Sequence, residues 1–184
     1  MNAKNLKIAL QRTLVILLFL VAAGNVFATG NSVAQPVLDE FFPDGLIDAD
    51  QQYYDNDRLE GKVFALYFSA SWCRGCAAFS RILVPFRNRH QENFEVVLVG
   101  FDHSAIEMQS YMKTYEMLWP AIAWDNPARL AVKERFQVSE IPALIVIAPD
   151  GRVITTEGYK QIDHMGDAAL ENWLKIAQSG SDGD

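Results

Sequence analysis

The amino-acid sequence predicts an α/β sandwich, a mixed β-sheet held between helices. Three observations carry this expectation. Residues 63–68, 94–101 and 143–148 are dominantly apolar runs of strand length, suited to strands buried on both faces. The segments between them repeat apolar residues at helical spacing. After the third run, Asp150-Gly151 turns the chain tightly into residues 153–155, which makes an antiparallel hairpin. The resulting order, β-α-β-α-β-β-α, is that of a layered α/β domain.

Residues 29–40 read as a loose leader, 41–178 as one folded domain and 179–184 as a flexible tail. Within 37–61, the apolar pairs Phe41-Phe42, Leu46-Ile47 and Tyr53-Tyr54 alternate with the turn signal Asp44-Gly45, giving a short helix or loop and an edge strand. From Cys76 onward Phe79, Ile82, Leu83 and Phe86 fall on one helical face, and Pro85 is expected to kink or shorten that helix. Asp102-His103-Ser104 offers a cap for a helix over 106–117. A short helix over 127–136 turns Leu130 and Phe136 to its apolar side. A closing helix over 167–177 carries Leu170, Trp173 and Leu174 on one face.

The first 28 residues read as an address. Lys4, Lys7 and Arg12 give a positive start, residues 14–23 an unbroken apolar run, and Val26-Phe27-Ala28 the small or modest residues read by a signal peptidase. Ten residues at about 1.5 Å each cannot span a hydrocarbon core about 30 Å thick. Gln11, Arg12 and Asn25 interrupt the longer stretch that an uncleaved anchor would use. The expectation is a signal peptide over 1–28, cleaved near Ala28, and a periplasmic or secreted protein with no stable membrane insertion afterwards.

Composition excludes several classes. Half of the 184 residues are hydrophobic and 21% are charged, enough apolar surface to form a core and too much for a disordered chain. Two cysteines are too few for a disulfide-stapled miniprotein. The net charge of −7 becomes −10 once three basic and no acidic side chains leave with residues 1–28, which argues against a nucleic-acid partner. The charge is uneven: residues 39–60 hold eight carboxylates and one Arg, a solvated face, whereas 73–90 hold four Arg and no carboxylate. Both cysteines lie in that basic stretch.

Trp72-Cys73-Arg74-Gly75-Cys76 follows a buried strand and opens a helix. A structural zinc site wants four Cys or His ligands. There is no second Cys pair, and His90, His103 and His164 are scattered singly, so no metal site is expected. A purely structural disulfide across two intervening residues would gain little loop-closure entropy. Redox chemistry is the favoured reading. A cysteine at a helix N-terminus meets free backbone N–H groups and the positive end of the helix dipole, and both favour the thiolate, the nucleophile of disulfide exchange. Cys73, the outer cysteine, is expected to attack a partner disulfide, and Cys76, one turn further in, to resolve the mixed disulfide. Arg74 adds a fixed positive charge beside Cys73, and Gly75 lets the loop bend tightly over the pair.

These residues also resemble a known family. Tyr67-Phe68-Ser69-Ala70-Ser71-Trp72-Cys73 with the C-x-x-C helix, and Ile141-Pro142-Ala143-Leu144-Ile145-Val146 with Asp150-Gly151, look like the thioredoxin superfamily, best its tryparedoxin/nucleoredoxin-like branch. The resemblance implies a thioredoxin-like fold, with a central mixed sheet flanked by helices and the C-x-x-C at the N-terminus of the first core helix. It places Pro142 at the cis-proline position facing the cysteines, Ile141 where its backbone pairs with a substrate peptide, and Trp72 beside the active site. The sequence departs from the branch in three places: Arg74-Gly75 replaces Pro-Pro, Tyr67 stands where thioredoxins proper bury an Asp, and Arg81 replaces the helix-kinking proline, with Pro85 one turn later.

The expected activity is therefore thiol–disulfide exchange with protein disulfide or dithiol clients, with no cofactor. A binding or chaperone module on the same fold, and a metallochaperone holding Cu(I) between two thiolates, are the alternatives. Only 39 residues separate Asp102 from Pro142, too few for the large helical insertion that oxidases of this superfamily often carry. That favours a reductase or isomerase-like role. A reductase in an oxidising compartment must be recharged by a membrane-bound electron-donor protein.

Overall fold

A computed structural model of the chain describes residues 34–180. The expected signal segment, residues 1–28, and the last four residues of the expected tail lie outside the described residues.

The core is a four-stranded sheet whose strands lie in the spatial order Phe94–Gly100, Val63–Ser69, Ala143–Ile147, Val153–Thr155. Strand β3 (Val63–Ser69) is buried along its whole length, as its unbroken apolar run requires. It pairs in parallel with β4 (Phe94–Gly100) and antiparallel with β5 (Ala143–Ile147), and β6 (Val153–Thr155) closes the hairpin at the edge. Alternation along β3 assigns two faces. Val63, Ala65 and Tyr67 join the core built with helices α2 (Arg74–His90) and α6 (Ala168–Ser179). Phe64, Leu66 and Phe68 join the core built with helices α1 (Ala34–Phe41) and α4 (Ala128–Arg135). A short antiparallel pair, β1 (Leu46–Ile47) and β2 (Tyr53–Tyr54), reaches the sheet through Ala121, which bridges to both Ile47 and Leu98.

Several expectations are corrected. Residues 29–40 are not all leader: α1 begins at Ala34, and Leu38 is buried in the core beside Phe41 and Phe42. Helix α2 turns Cys76, Phe79, Ser80, Leu83, Phe86 and Arg87 inward, while Ile82 is 42% exposed. The stripe is rotated because Ser80 and Arg87 find partners inside: Ser80 bonds to Tyr67 and Tyr111, and Arg87 binds Glu95 through two contacts of 2.5 and 2.7 Å. Pro85 does not shorten α2, which continues to His90. Proline removes one amide donor, and the burial of Phe86 and Arg87 beyond it holds the last turn in place.

Helix α3 (Ala105–Thr114) starts as anticipated, with the Ser104 hydroxyl accepting the Glu107 N–H, but stops three residues short of Met117. Glu116 is left-handed at φ 53°, and the Met117 N–H turns back to the Met112 carbonyl. In α4 it is Val132 that is buried, and Leu130 faces outward. No expectation covers α5 (Gly158–Met165), whose first residue packs so closely on β5 that a Cβ there would lie 2.8 Å from the Leu144 carbonyl oxygen.

Candidate active site

The parallel pairing of β3 and β4 ends with Ser69 opposite Gly100, so residues 70–73 and 101–103 emerge side by side. β5, antiparallel on the other flank of β3, begins opposite Phe68 and brings 141–142 to the same end of the sheet. These three segments make the site.

Cys73 is the N-cap of α2, and its Sγ accepts the Cys76 N–H at 3.1 Å. The two cysteines form a disulfide with Cα atoms 5.2 Å apart. Cys73 keeps 9% exposure and Cys76 none, which matches the expected division between an outer and an inner sulfur. The Ile141 carbonyl oxygen lies 3.7 Å from Cys73 Sγ, and the Ile141–Pro142 bond is cis. Gly75 does not bend a loop; it is part of α2, and a Cβ there would stand 3.3 Å from Pro142 Cδ. Its missing side chain lets Pro142 approach the helix.

Trp72 is 54% exposed, so it is no core aromatic. Its Nε1 donates to the Phe101 carbonyl oxygen at 3.0 Å, and its ring stacks on His103 at 6.0 Å between centroids. Arg74 is exposed, and among the described residues no hydrogen bond or ion pair engages its guanidinium. The site thus unites Trp72, Cys73, Gly75, Cys76, Ile141 and Pro142, with Arg74 at its solvent edge.

Beneath the pair, where a carboxylate would be the simplest proton acceptor, lie hydroxyls. Tyr67 donates to the Cys76 carbonyl oxygen, and its own oxygen is 3.0 Å from Ser80 Oγ. Tyr111 joins Ser80 to Ser69, with both separations 2.8 Å. Burial pushes the Tyr67 phenol far above the ordinary tyrosine range, so it stays a neutral donor.

From the sequence Asp102 reads as part of a helix cap only. Asp102 is buried and accepts the Ser71 N–H at 2.8 Å, which ties down the loop before the cysteines, and Trp124 Nε1 donates to its carbonyl oxygen. The role follows from the parallel pairing, which sets the residues just past β4 beside the loop just past β3 and is not written in the spacing of the sequence. Among the described residues no group of three or more His, Cys, Asp or Glu side chains is placed to hold a metal ion, and no helix is long and apolar enough to cross a membrane.

Residues 61–153 match the profile of a family described as Thioredoxin-like, about half of the chain and all three site segments. The chain belongs to the thioredoxin-like family. Tryparedoxin of Trypanosoma brucei brucei is 35% identical over 119 residues, which are 62% of this chain and 81% of that protein. Tryparedoxin II from C. fasciculata superposes with a TM-score of 0.66 at 32% identity, covering 72% of this chain and 90% of that one. The same relative was solved in complex with glutathionylspermidine, again at a TM-score of 0.66 and 32% identity, covering 72% of this chain and 94% of that one. Probable nucleoredoxin 2 of Oryza sativa subsp. japonica is 35% identical over 116 residues, 61% of this chain but 29% of that protein. The chain therefore spans less than a third of that nucleoredoxin's length. Within this thioredoxin-like fold the C-x-x-C pair occupies the start of the first core helix, as the resemblance implied.

Proposed function

We propose that the protein is a thiol–disulfide oxidoreductase that exchanges disulfides with protein or small thiol clients through Cys73 and Cys76. One observation carries the reading above the rest. The partly exposed Cys73 sulfur caps α2, accepts a backbone N–H, and sits beside Ile141, whose own backbone N–H has no backbone partner among the described residues. Such a sulfur is stabilised as a thiolate by the helix terminus and lies next to backbone groups available to a client strand.

In the reducing direction the Cys73 thiolate attacks one sulfur of a client disulfide, and the other client sulfur leaves as a thiolate. The Cys76 thiolate then attacks Cys73 Sγ, the second client sulfur leaves, and the Cys73–Cys76 disulfide is formed. Two electrons pass to the client. The solved complex of tryparedoxin II with glutathionylspermidine supports including small thiols among the exchange partners.

The signal-like residues 1–28 support a periplasmic or secreted setting, and the short span between Asp102 and Pro142 supports reduction over general oxidation. In that setting a membrane-bound electron donor recharges the pair, a step that follows from the compartment alone. The test is turnover of a disulfide substrate with an external dithiol as reductant, together with acid-quenched alkylation in the native compartment. Turnover that vanishes in Cys73→Ser, and a pair found mostly reduced, are the expected results. Turnover that survives Cys73→Ser overturns the activity, and a fully oxidised pair overturns the direction.

A further inference from the structure

A groove of about 310 Å³ runs away from the reactive sulfur, lined by Trp72, Phe101, Lys133, Val138, Glu140 and Ile141 among others. It begins at the two residues that flank Cys73: Trp72 on one side, and Ile141, with its carbonyl oxygen 3.7 Å from the sulfur, on the other. A client cysteine engaged by Cys73 therefore has its neighbouring residues over this groove. The walls combine the apolar Trp72, Phe101, Val138 and Ile141 with the charged Lys133 and Glu140.

The charge is specific. Lys133 projects from α4 with Nζ 5.6 Å from the centre of the Phe101 ring, and Arg129 lies on the same ring at 5.7 Å. Arg129 is occupied, with hydrogen bonds to the Trp124 and Gly100 carbonyls and the Asp102 carboxylate as its charge neighbour. Lys133 has no carboxylate partner among the described residues, although it is held over an aromatic face that forms the groove wall. Glu140 is the one carboxylate in the lining and is likewise unpaired among the described residues. Arg74 adds a second unpaired cation next to Cys73. The balance around the sulfur is positive, on a chain whose net charge is −7.

We propose that Lys133 is a specificity-determining residue, and that this groove selects client polypeptides carrying an Asp or Glu within a few residues of the reactive cysteine. The proposal rests on the exchange activity above and adds to it the chemistry of the preferred client. A client carboxylate in the groove pairs with an ammonium already positioned by Phe101, so less side-chain freedom is lost than for a mobile surface lysine. Glu140 works against the same clients and limits the preference. A basic client meets Lys133 and Arg74 unfavourably.

The experiment compares disulfide-linked model peptides that differ at one position within three residues of the cysteine, occupied by Glu, Gln or Lys, reduced by the full chain with an external dithiol. The expected order of kcat/KM is Glu above Gln above Lys, with steps of about threefold for a partly exposed ion pair. The order weakens at 1 M salt. Lys133→Gln collapses it, Glu140→Gln widens it, and neither changes turnover of an uncharged small disulfide. Equal rates for the three peptides, a preference for Lys, or a Glu preference that survives in Lys133→Gln overturns the proposal. Failure of the unmodified protein to reduce even the uncharged disulfide overturns the exchange activity itself, so the two failures are distinct.

Discussion

The Tyr67 hydroxyl donates to the Cys76 carbonyl oxygen at 3.0 Å, fastening the centre of β3 to the first turn of α2. The inner cysteine is thus anchored through its backbone, and its sulfur is positioned relative to Cys73 by the sheet as well as by the helix. Ser80, Tyr111 and Ser69 continue the same chain of hydroxyls through the core.

Tyr67→Phe keeps the ring and removes the donor. The loss is expected to be about 1–2 kcal/mol, the range for a buried hydrogen bond whose partner keeps another contact. Urea unfolding measures the stability, and a rate of mixed-disulfide resolution that falls more than the stability does shows that the anchor also positions Cys76.

The two cysteines should behave asymmetrically. Cys76→Ser accumulates long-lived mixed disulfides with clients because the resolving sulfur is gone, while Cys73→Ser, with its remaining sulfur fully buried, traps few. Non-reducing gels with mass spectrometry read this directly. Equal trapping by both variants contradicts the division of labour.

Arg74→Gln removes the unpaired charge one residue from Cys73. The charge favours the thiolate and with it the reduced pair, so its loss makes the disulfide harder to reduce and the potential more negative. Because Arg74 is exposed, solvent screening limits the effect to about 1 kcal/mol or less, which is roughly 20 mV for a two-electron couple. Equilibration with a glutathione couple at low and high salt measures it. An unchanged potential overturns the electrostatic role of Arg74.

Gly75→Ala sets two effects against each other. Alanine gains up to about 1 kcal/mol of helix propensity, but its methyl carbon would stand 3.3 Å from Pro142 Cδ and displace it. Thermal stability is expected to change little while turnover falls several-fold. A variant with full turnover shows that the contact yields without moving the sulfur's surroundings.

Alkaline stability reports a different region. Burial first, and then the neighbouring Glu95 carboxylate, pushes the Tyr54 phenol from 10.0 up to about 12. The folded chain holds this proton over a window in which the unfolded chain releases it. The associated stability is complete below pH about 10 and is lost as pH rises through about 12, with a magnitude of at most roughly 3 kcal/mol. In Tyr54→Phe the decline across that window should be shallower, as measured by denaturant unfolding from pH 9 to 12.

The sheet and the redox pair were legible because each is written locally. The run at 63–68 has too few polar residues to face water, and Trp72-Cys73-Arg74-Gly75-Cys76 follows it directly. What stayed hidden depends on distant partners. The apolar stripe includes neither Ser80 nor Arg87, which turn inward because Tyr67, Tyr111 and Glu95 meet them there, and Ile82 reads as core for the same reason. Helix α5 offers few apolar residues to a periodicity argument, chiefly Tyr159 and Ile162, and opens on a glycine. Asp102 and Lys133 gain their roles from strand order and from a ring contact, neither of which spacing reveals.

Cys73 and Ile141 meet across 68 positions of sequence, and only the pairing of β3 with β5 brings them together. At about 5–20 residues per second of synthesis, both cysteines leave the ribosome several seconds before that segment exists. In the interval they are two neighbouring thiols with no adjoining edge to hold another chain. A nascent or truncated product ending before residue 141 carries the sulfurs without the segment that adjoins Cys73 in the finished fold. The juxtaposition of Cys73 with Ile141 is therefore a property of the finished sheet, acquired late in biosynthesis and dependent on an internal strand flanked by β3 and β6.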